Sequence, residues 1–81
     1  MNKNELLTLL ILRGNEAFTS VSAMTICEMI EGDMQQMKPN SLYKILQGLK
    51  SEGLVGNGMK DGRAATYYIT KAGIDRIGEF E

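Results

Sequence analysis

The chain has no histidine and no tryptophan, and only one cysteine and one proline among its 81 residues. Each shortage removes a class of function. Without histidine, the commonest general base and metal ligand is missing. Cys27 alone forms neither an internal disulfide nor a metal site. The Ser and Thr hydroxyls have no neighbouring base in a recognisable constellation, and the carboxylates are scattered over separate elements. No Gly-rich loop follows a strand and opens a helix, so the phosphate-cradling signatures fail their context. We therefore expect no enzyme and no cofactor. A lone cysteine suits a reducing, cytoplasmic setting, because small secreted domains carry paired ones. The longest apolar run, near Leu9 to Leu12, is far shorter than the roughly 20 residues a membrane helix needs. The N-terminus has no signal-peptide layout, and no membrane partner is expected.

What remains is an ordinarily globular composition, 43% hydrophobic and 23% charged. Its length suits a single domain over 1–81 with one modest core. There is no internal repeat, low-complexity segment or second domain. The formal net charge of −1 hides an uneven distribution. Up to Gly32, Lys3 and Arg13 face Glu5, Glu16, Glu28 and Glu31. From Lys38 to Lys71 the balance reverses: Lys38, Lys44, Lys50, Lys60, Arg63 and Lys71 face only Glu52 and Asp61. Positive charge gathered in the middle is the footprint of a nucleic-acid face. So few cations predict modest non-specific affinity with strong salt dependence.

The most informative stretch is Lys38 to Gly53, KPNSLYKILQGLKSEG. Pro39 suits a first helical turn, and Gly53 suits the left-handed residue after a last one. A helix over about 39–52 follows. Leu42, Ile45, Leu46 and Leu49 make one apolar stripe at i, i+3, i+4 and i+7. The opposite side carries Asn40, Ser41, Tyr43, Lys44, Gln47 and Lys50, with no carboxylate until Glu52. A helix face rich in hydrogen-bonding groups and free of acid is what a DNA major groove accepts.

The remaining elements fall in order around this helix. Asn4 to Arg13 reads as a first helix, capped by Asn2 or Asn4. Its Leu6, Leu7, Leu9, Leu10, Ile11 and Leu12 leave Thr8 as the polar exception, so either some leucines stand in solvent or a second subunit covers them. Ala17 to Thr19 is expected as a short edge strand, with Phe18 packing inward. Ser20 or Ser22 should cap a second helix reaching about Glu31, with Met24 or Ala23, Ile26, Cys27 and Ile30 inward. Met34 to Met37 forms a turn. After the third helix the period changes to two: Leu54 to Met59 and Ala65 to Thr70 read as strands joined by a turn at Asp61-Gly62. Ala65, Tyr67 and Ile69 share one face of the second strand, and Gly56 and Gly58 signal a bulge or a close backbone approach. Thr70 caps a last helix, Lys71 to about Phe80. The six methionines read as gap-fillers in a core with few aromatics.

The order α1-(β1)-α2-α3-β2-β3-α4, mainly α with a small β-hairpin, is that of a winged helix-turn-helix. In that arrangement α2 braces α3, α3 lies in the major groove, and the hairpin brings Lys60 and Arg63 to the backbone or minor groove. Three passages resemble the PadR-type winged-helix transcriptional regulators: Leu42-Tyr43, the exit Leu49-Lys50-Ser51-Glu52-Gly53-Leu54-Val55, and Tyr67-Tyr68-Ile69-Thr70-Lys71-Ala72-Gly73. The resemblance is close over the second half of the chain and looser over the first. It implies a homodimeric regulator of palindromic operator DNA, with Ser41, Tyr43 and Lys44 of helix 3 and Arg63 of the wing at the DNA. The full candidate DNA set is Lys38, Asn40, Ser41, Tyr43, Lys44, Gln47, Lys50, Lys60 and Arg63. Tyr43 has an equal alternative, packing against helix 2 or the wing with its hydroxyl wet. The resemblance also implies dimerisation through the last helix, which here is short; the apolar surplus of the first helix can supply the contact alone or with it, giving Leu6, Leu7, Leu10, Ile74, Ile77 and Phe80 as the candidate interface. No residue points to a small-molecule effector. The competing class of function is a winged-helix protein-interaction module that binds no DNA.

Overall fold

Local chemistry sets where most elements begin. In the computed structural model, which describes residues 1–80, α1 spans Lys3–Gly14. Asn2 caps it: its side chain accepts from the Glu5 N–H at 2.8 Å, and the Glu5 carboxylate accepts from the Asn2 N–H at 2.9 Å. That reciprocal box satisfies donors which a helix start otherwise leaves orphaned. The other helices are α2 Ile26–Gly32, α3 Pro39–Ser51 and α4 Lys71–Gly78. α2 opens on a second box, Thr25 with Glu28. α4 opens on Thr70, whose hydroxyl accepts from the Gly73 N–H at 3.1 Å and donates to the Gly53 carbonyl at 2.6 Å. The strands β1 Met24–Thr25, β2 Val55–Asn57 and β3 Thr66–Ile69 form one antiparallel sheet in the order β1-β3-β2. This is the expected α+β winged-helix order. Among the described residues no helix is long and apolar enough to cross a membrane.

The hairpin extends past its paired strands. Gly58 N–H donates to the Thr66 carbonyl at 3.1 Å, and Asp61 and Ala64 exchange both backbone hydrogen bonds at 3.1 and 3.0 Å. Gly62-Arg63 is left as a two-residue turn. Gly62, at φ 63°, supplies the positive first position a type II′ turn requires. The register Val55–Ile69, Gly56–Tyr68, Asn57–Tyr67 continues to Gly58–Thr66, and before Asp61–Ala64 the first arm carries one extra residue, so Met59-Lys60 bulge opposite Ala65. Gly56 and Gly58 are also close approaches: a Cβ on Gly56 would sit 2.7 Å from the Tyr68 ring, and one on Gly58 would strike Ala23 and the Ser20 carbonyl.

One core joins every layer. Leu9, Ile11 and Leu12 of α1 meet Leu42, Leu46 and Leu49 of α3, with Tyr67 and Ile69 of β3 and Ile77 of α4 completing it. Met29 and Met34 are buried in it as expected of gap-fillers, whereas Met59 stands exposed on the wing.

Several first-half expectations are corrected. The edge strand is Met24–Thr25, not Ala17 to Thr19. The Phe18 and Thr19 N–H groups are taken by the Ser22 hydroxyl, and Ala17 gives the sheet one bond, accepting from the Ile69 N–H at 2.8 Å. Ala17 fills the inward place and Phe18 is exposed. Because Met24 and Thr25 are in the sheet, the cap of α2 moves from Ser20 or Ser22 to Thr25 and the helix is shorter. Its register turns accordingly: Met29 is fully buried, and Cys27 is exposed with its thiol 3.4 Å from the Glu31 carboxylate. That carboxylate holds the thiol above its ordinary pKa, against reactivity. Thr8 is fully buried because its hydroxyl donates back to the Asn4 carbonyl at 2.8 Å. Ala65 is exposed, while Thr66 is buried with its hydroxyl donating to the Met59 carbonyl at 2.7 Å. The last helix stops at Gly78, leaving Phe80 half exposed.

Glu16 is the one non-glycine residue with positive φ among those described, at 56°. It closes α1, with its N–H bonded to the Arg13 carbonyl and that of Ala17 to Leu12. An L-residue there is disfavoured by roughly 1 kcal/mol, partly offset by the entropy of an unfolded glycine. Glu16→Gly is therefore expected to raise Tm by about 3 °C. A lower Tm in thermal denaturation would show that the Glu16 side chain contributes more than its backbone costs.

Candidate nucleic-acid interface

The face of α3 opposite its leucines is built by helical spacing alone. Leu42, Leu46 and Leu49 are fully buried, and this turns Asn40, Ser41, Tyr43, Lys44 and Lys50 outward, all exposed. Lys38 precedes the helix and is exposed as well. α3 begins without a side-chain cap, in contrast to α1, α2 and α4, which begin on Asn2, Thr25 and Thr70, and like α4 it has no acidic residue in its first turn. Its positive dipole end is therefore open, beside Lys38, to an anion such as a DNA phosphate.

The nearest carboxylate is drawn away. Glu52 lies 3.6 Å from Arg76 of α4, and Arg76 also pairs with Glu79 at 3.2 Å. Lys38, Lys44, Lys50, Lys60 and Arg63 form no ion pair among the described residues. Lys60 and Arg63 are exposed on the hairpin, with Arg63 in the turn itself and Asp61 between them in sequence.

Gln47 differs from the rest of the set. It is half-buried. Burial pushes the Tyr67 phenol above its ordinary pKa; the nearby Tyr43 adds to this, and the Gln47 and Asn57 amides pull the other way. Asn57 and Tyr67 thus lie beside this face, although sequence reasoning did not name them. Strand alternation does point Tyr67 inward. No local pattern says that it lies near Gln47 of α3.

The candidate dimer residues separate into three groups. Ile77 is fully buried in the core and is closed to a second subunit. Leu6 and Leu10 are half-buried against the same core. Leu7, Ile74 and Phe80 are exposed, by 38%, 37% and 51%. Two open grooves, about 610 and 510 Å³, meet at Leu7 and Asp33; one runs along α1 and the other reaches the turn before α3.

Helix, bracing helix, recognition-type helix and hairpin define the winged-helix class of fold. Among solved structures, the chain is similar to the solution structure of the DNA-binding TubR fragment from Clostridium botulinum, with a TM-score of 0.77. The two share 23% identity over 100% of this chain and 98% of that one, a likeness of fold. No family model matches the chain, and no curated protein sequence matches it.

Proposed function

We propose that this protein is a DNA-binding transcriptional regulator that acts by binding and not by catalysis. The observation that carries the reading is the exposed, acid-free face of α3, from which Glu52 is withdrawn toward Arg76. Lys38, Asn40, Ser41, Tyr43, Lys44 and Lys50 face the major groove, and Lys60 and Arg63 contact the backbone or minor groove from the wing. The fold shared with a DNA-binding fragment supports this. The PadR-like placement, and with it repression from a palindromic operator, rests on the motifs in the second half of the chain. A homodimer is the form such an operator requires, and exposed Leu7, Ile74 and Phe80 are the apolar surface available for it. A cytoplasmic location accords with this role.

The test is selection from a pool of random duplex DNA at near-physiological salt. We expect enrichment of a palindrome with half-sites about one helical turn apart. Binding that is absent, or indifferent to sequence, would transfer the assignment to the protein-interaction module, which the same exposed residues of α1 and α4 would serve.

A further inference from the structure

Met59 is the one exposed large apolar side chain among the described residues of the wing, at 65%. A single exposed apolar residue is ordinary on a protein surface. What sets Met59 apart is how its backbone is held. Its N–H donates to the Ser20 carbonyl at 3.0 Å, and its carbonyl accepts from the Thr66 hydroxyl at 2.7 Å. The residue before it is fixed as well. The Gly58 N–H donates to the Thr66 carbonyl at 3.1 Å, and Gly58 lies so close to Ala23 and the Ser20 carbonyl that no Cβ would fit. The loop before β1 and the strand β3 thus grip this arm from two sides. The bulge then sets where residue 59 stands. Met59 and Lys60 both lie opposite Ala65. By alternation Ala65 continues the face of Tyr67 and Ile69, which pack into the core with the leucines of α3. Ala65 is itself exposed, so Met59 and Lys60 stand beyond the end of that core, and its single methyl gives Met59 little cover.

We infer that Met59 is a specificity-determining residue of the wing that enters the DNA minor groove: its side chain lies against sugars and base edges while Lys60 and Arg63 hold neighbouring phosphates. The inference rests on the DNA-binding reading above and adds to it a contact that is not electrostatic. The minor groove is only about 6 Å wide. An unbranched, adaptable methionine fits such a slot. Apolar side chains placed between base steps are a recurring means of entering and opening this groove. Such a wedge works only if its backbone does not yield, and both backbone groups of Met59 are bonded. A protein surface is the competing use of an exposed methionine. Beside Met59, however, Lys60 and Arg63 form no ion pair among the described residues, and Asp61 is the only acid between them in sequence, which favours a polyanion. Base steps differ in how readily they open, and pyrimidine–purine steps open at the least cost. The operator should therefore carry such a step where the wing lies, outside the half-site read by α3.

The parent, Met59→Ala, Met59→Leu and Arg63→Ala are titrated with the selected operator over a series of salt concentrations. The titrations are repeated with an operator carrying, at the flanking step, a fluorescent adenine analogue that brightens when unstacked. Met59→Ala is expected to weaken operator binding about fivefold, the worth of roughly 40 Å² of apolar surface. The loss should be the same at every salt concentration, since an apolar contact releases no counterion. Arg63→Ala should instead make the slope of log K against log salt shallower by about 0.9. Met59→Leu should stay within about twofold of the parent, because it keeps an apolar side chain of similar volume. The analogue should brighten on binding the parent and Met59→Leu, and far less on binding Met59→Ala. The Tm of Met59→Ala should match the parent's, since the side chain is exposed. Operator affinity unchanged in Met59→Ala, a loss accompanied by a shallower slope or a lower Tm, or an analogue that stays dark with the parent would overturn the inference while leaving the DNA reading intact. A parent with no preference among sequences would overturn the DNA reading and this inference with it.

Discussion

Leu46→Ala is expected to lower Tm by about 15 °C. Leu46 is fully buried at the middle of α3, between Leu42 and Leu49 on the same stripe. Truncating such a leucine removes its transfer free energy and leaves a cavity, together about 3 kcal/mol. A domain of this length has roughly 4–12 kcal/mol in total, so a large share of its stability is lost. For small domains each kcal/mol corresponds to about 5 °C. The same leucine orients the outward face, so DNA affinity measured near the new midpoint should fall with the folded fraction and recover on cooling. A Tm within about 5 °C of the parent would mean that the helices close around the missing side chain.

The second large effect is electrostatic. Replacing Lys44, Lys50 and Arg63 together by alanine is expected to weaken DNA binding roughly a hundredfold at about 0.15 M salt. Each cation that neutralises a phosphate releases a counterion, worth about fivefold at that salt, and three multiply. The slope of log K against log salt should become shallower by about 2.7. Tm should hold, because all three side chains are exposed and none is in an ion pair among the described residues. Lys3→Ala is the control: Lys3 is exposed but stands among the acidic residues of the first third, and the slope should not change. Equal slopes for the triple variant and the parent would remove α3 and the wing from the DNA.

The third helix was legible because three independent signals coincide there: Pro39 at its start, Gly53 after its end, and leucines at helical spacing between. The hairpin was legible through Asp61-Gly62, whose chemistry is local to the turn. The region from Glu16 to Cys27 was not. There the sequence pointed to Ser20 or Ser22 as the cap of α2. Thr25 prevails because its strand pairs with Thr66, forty-one residues away in the chain, and because Glu28 follows at the right spacing to close the box. Moving that cap rotated the register of α2, burying Met29 and exposing Cys27.

The sequence by itself determined the element order, the winged-helix class, the outward cations of α3 and the wing, and the cap of α4, and it narrowed the cap of α1 to Asn2 or Asn4. These follow from residues within a few positions of one another, where spacing and backbone preference are decisive. Only the tertiary structure decided that Glu52 turns to Arg76, that Ile77 is closed within the core, and that Thr25 pairs with Thr66. Each of these brings together elements that are separate in the chain, and which groups meet is chosen by packing across the fold, which no local period encodes.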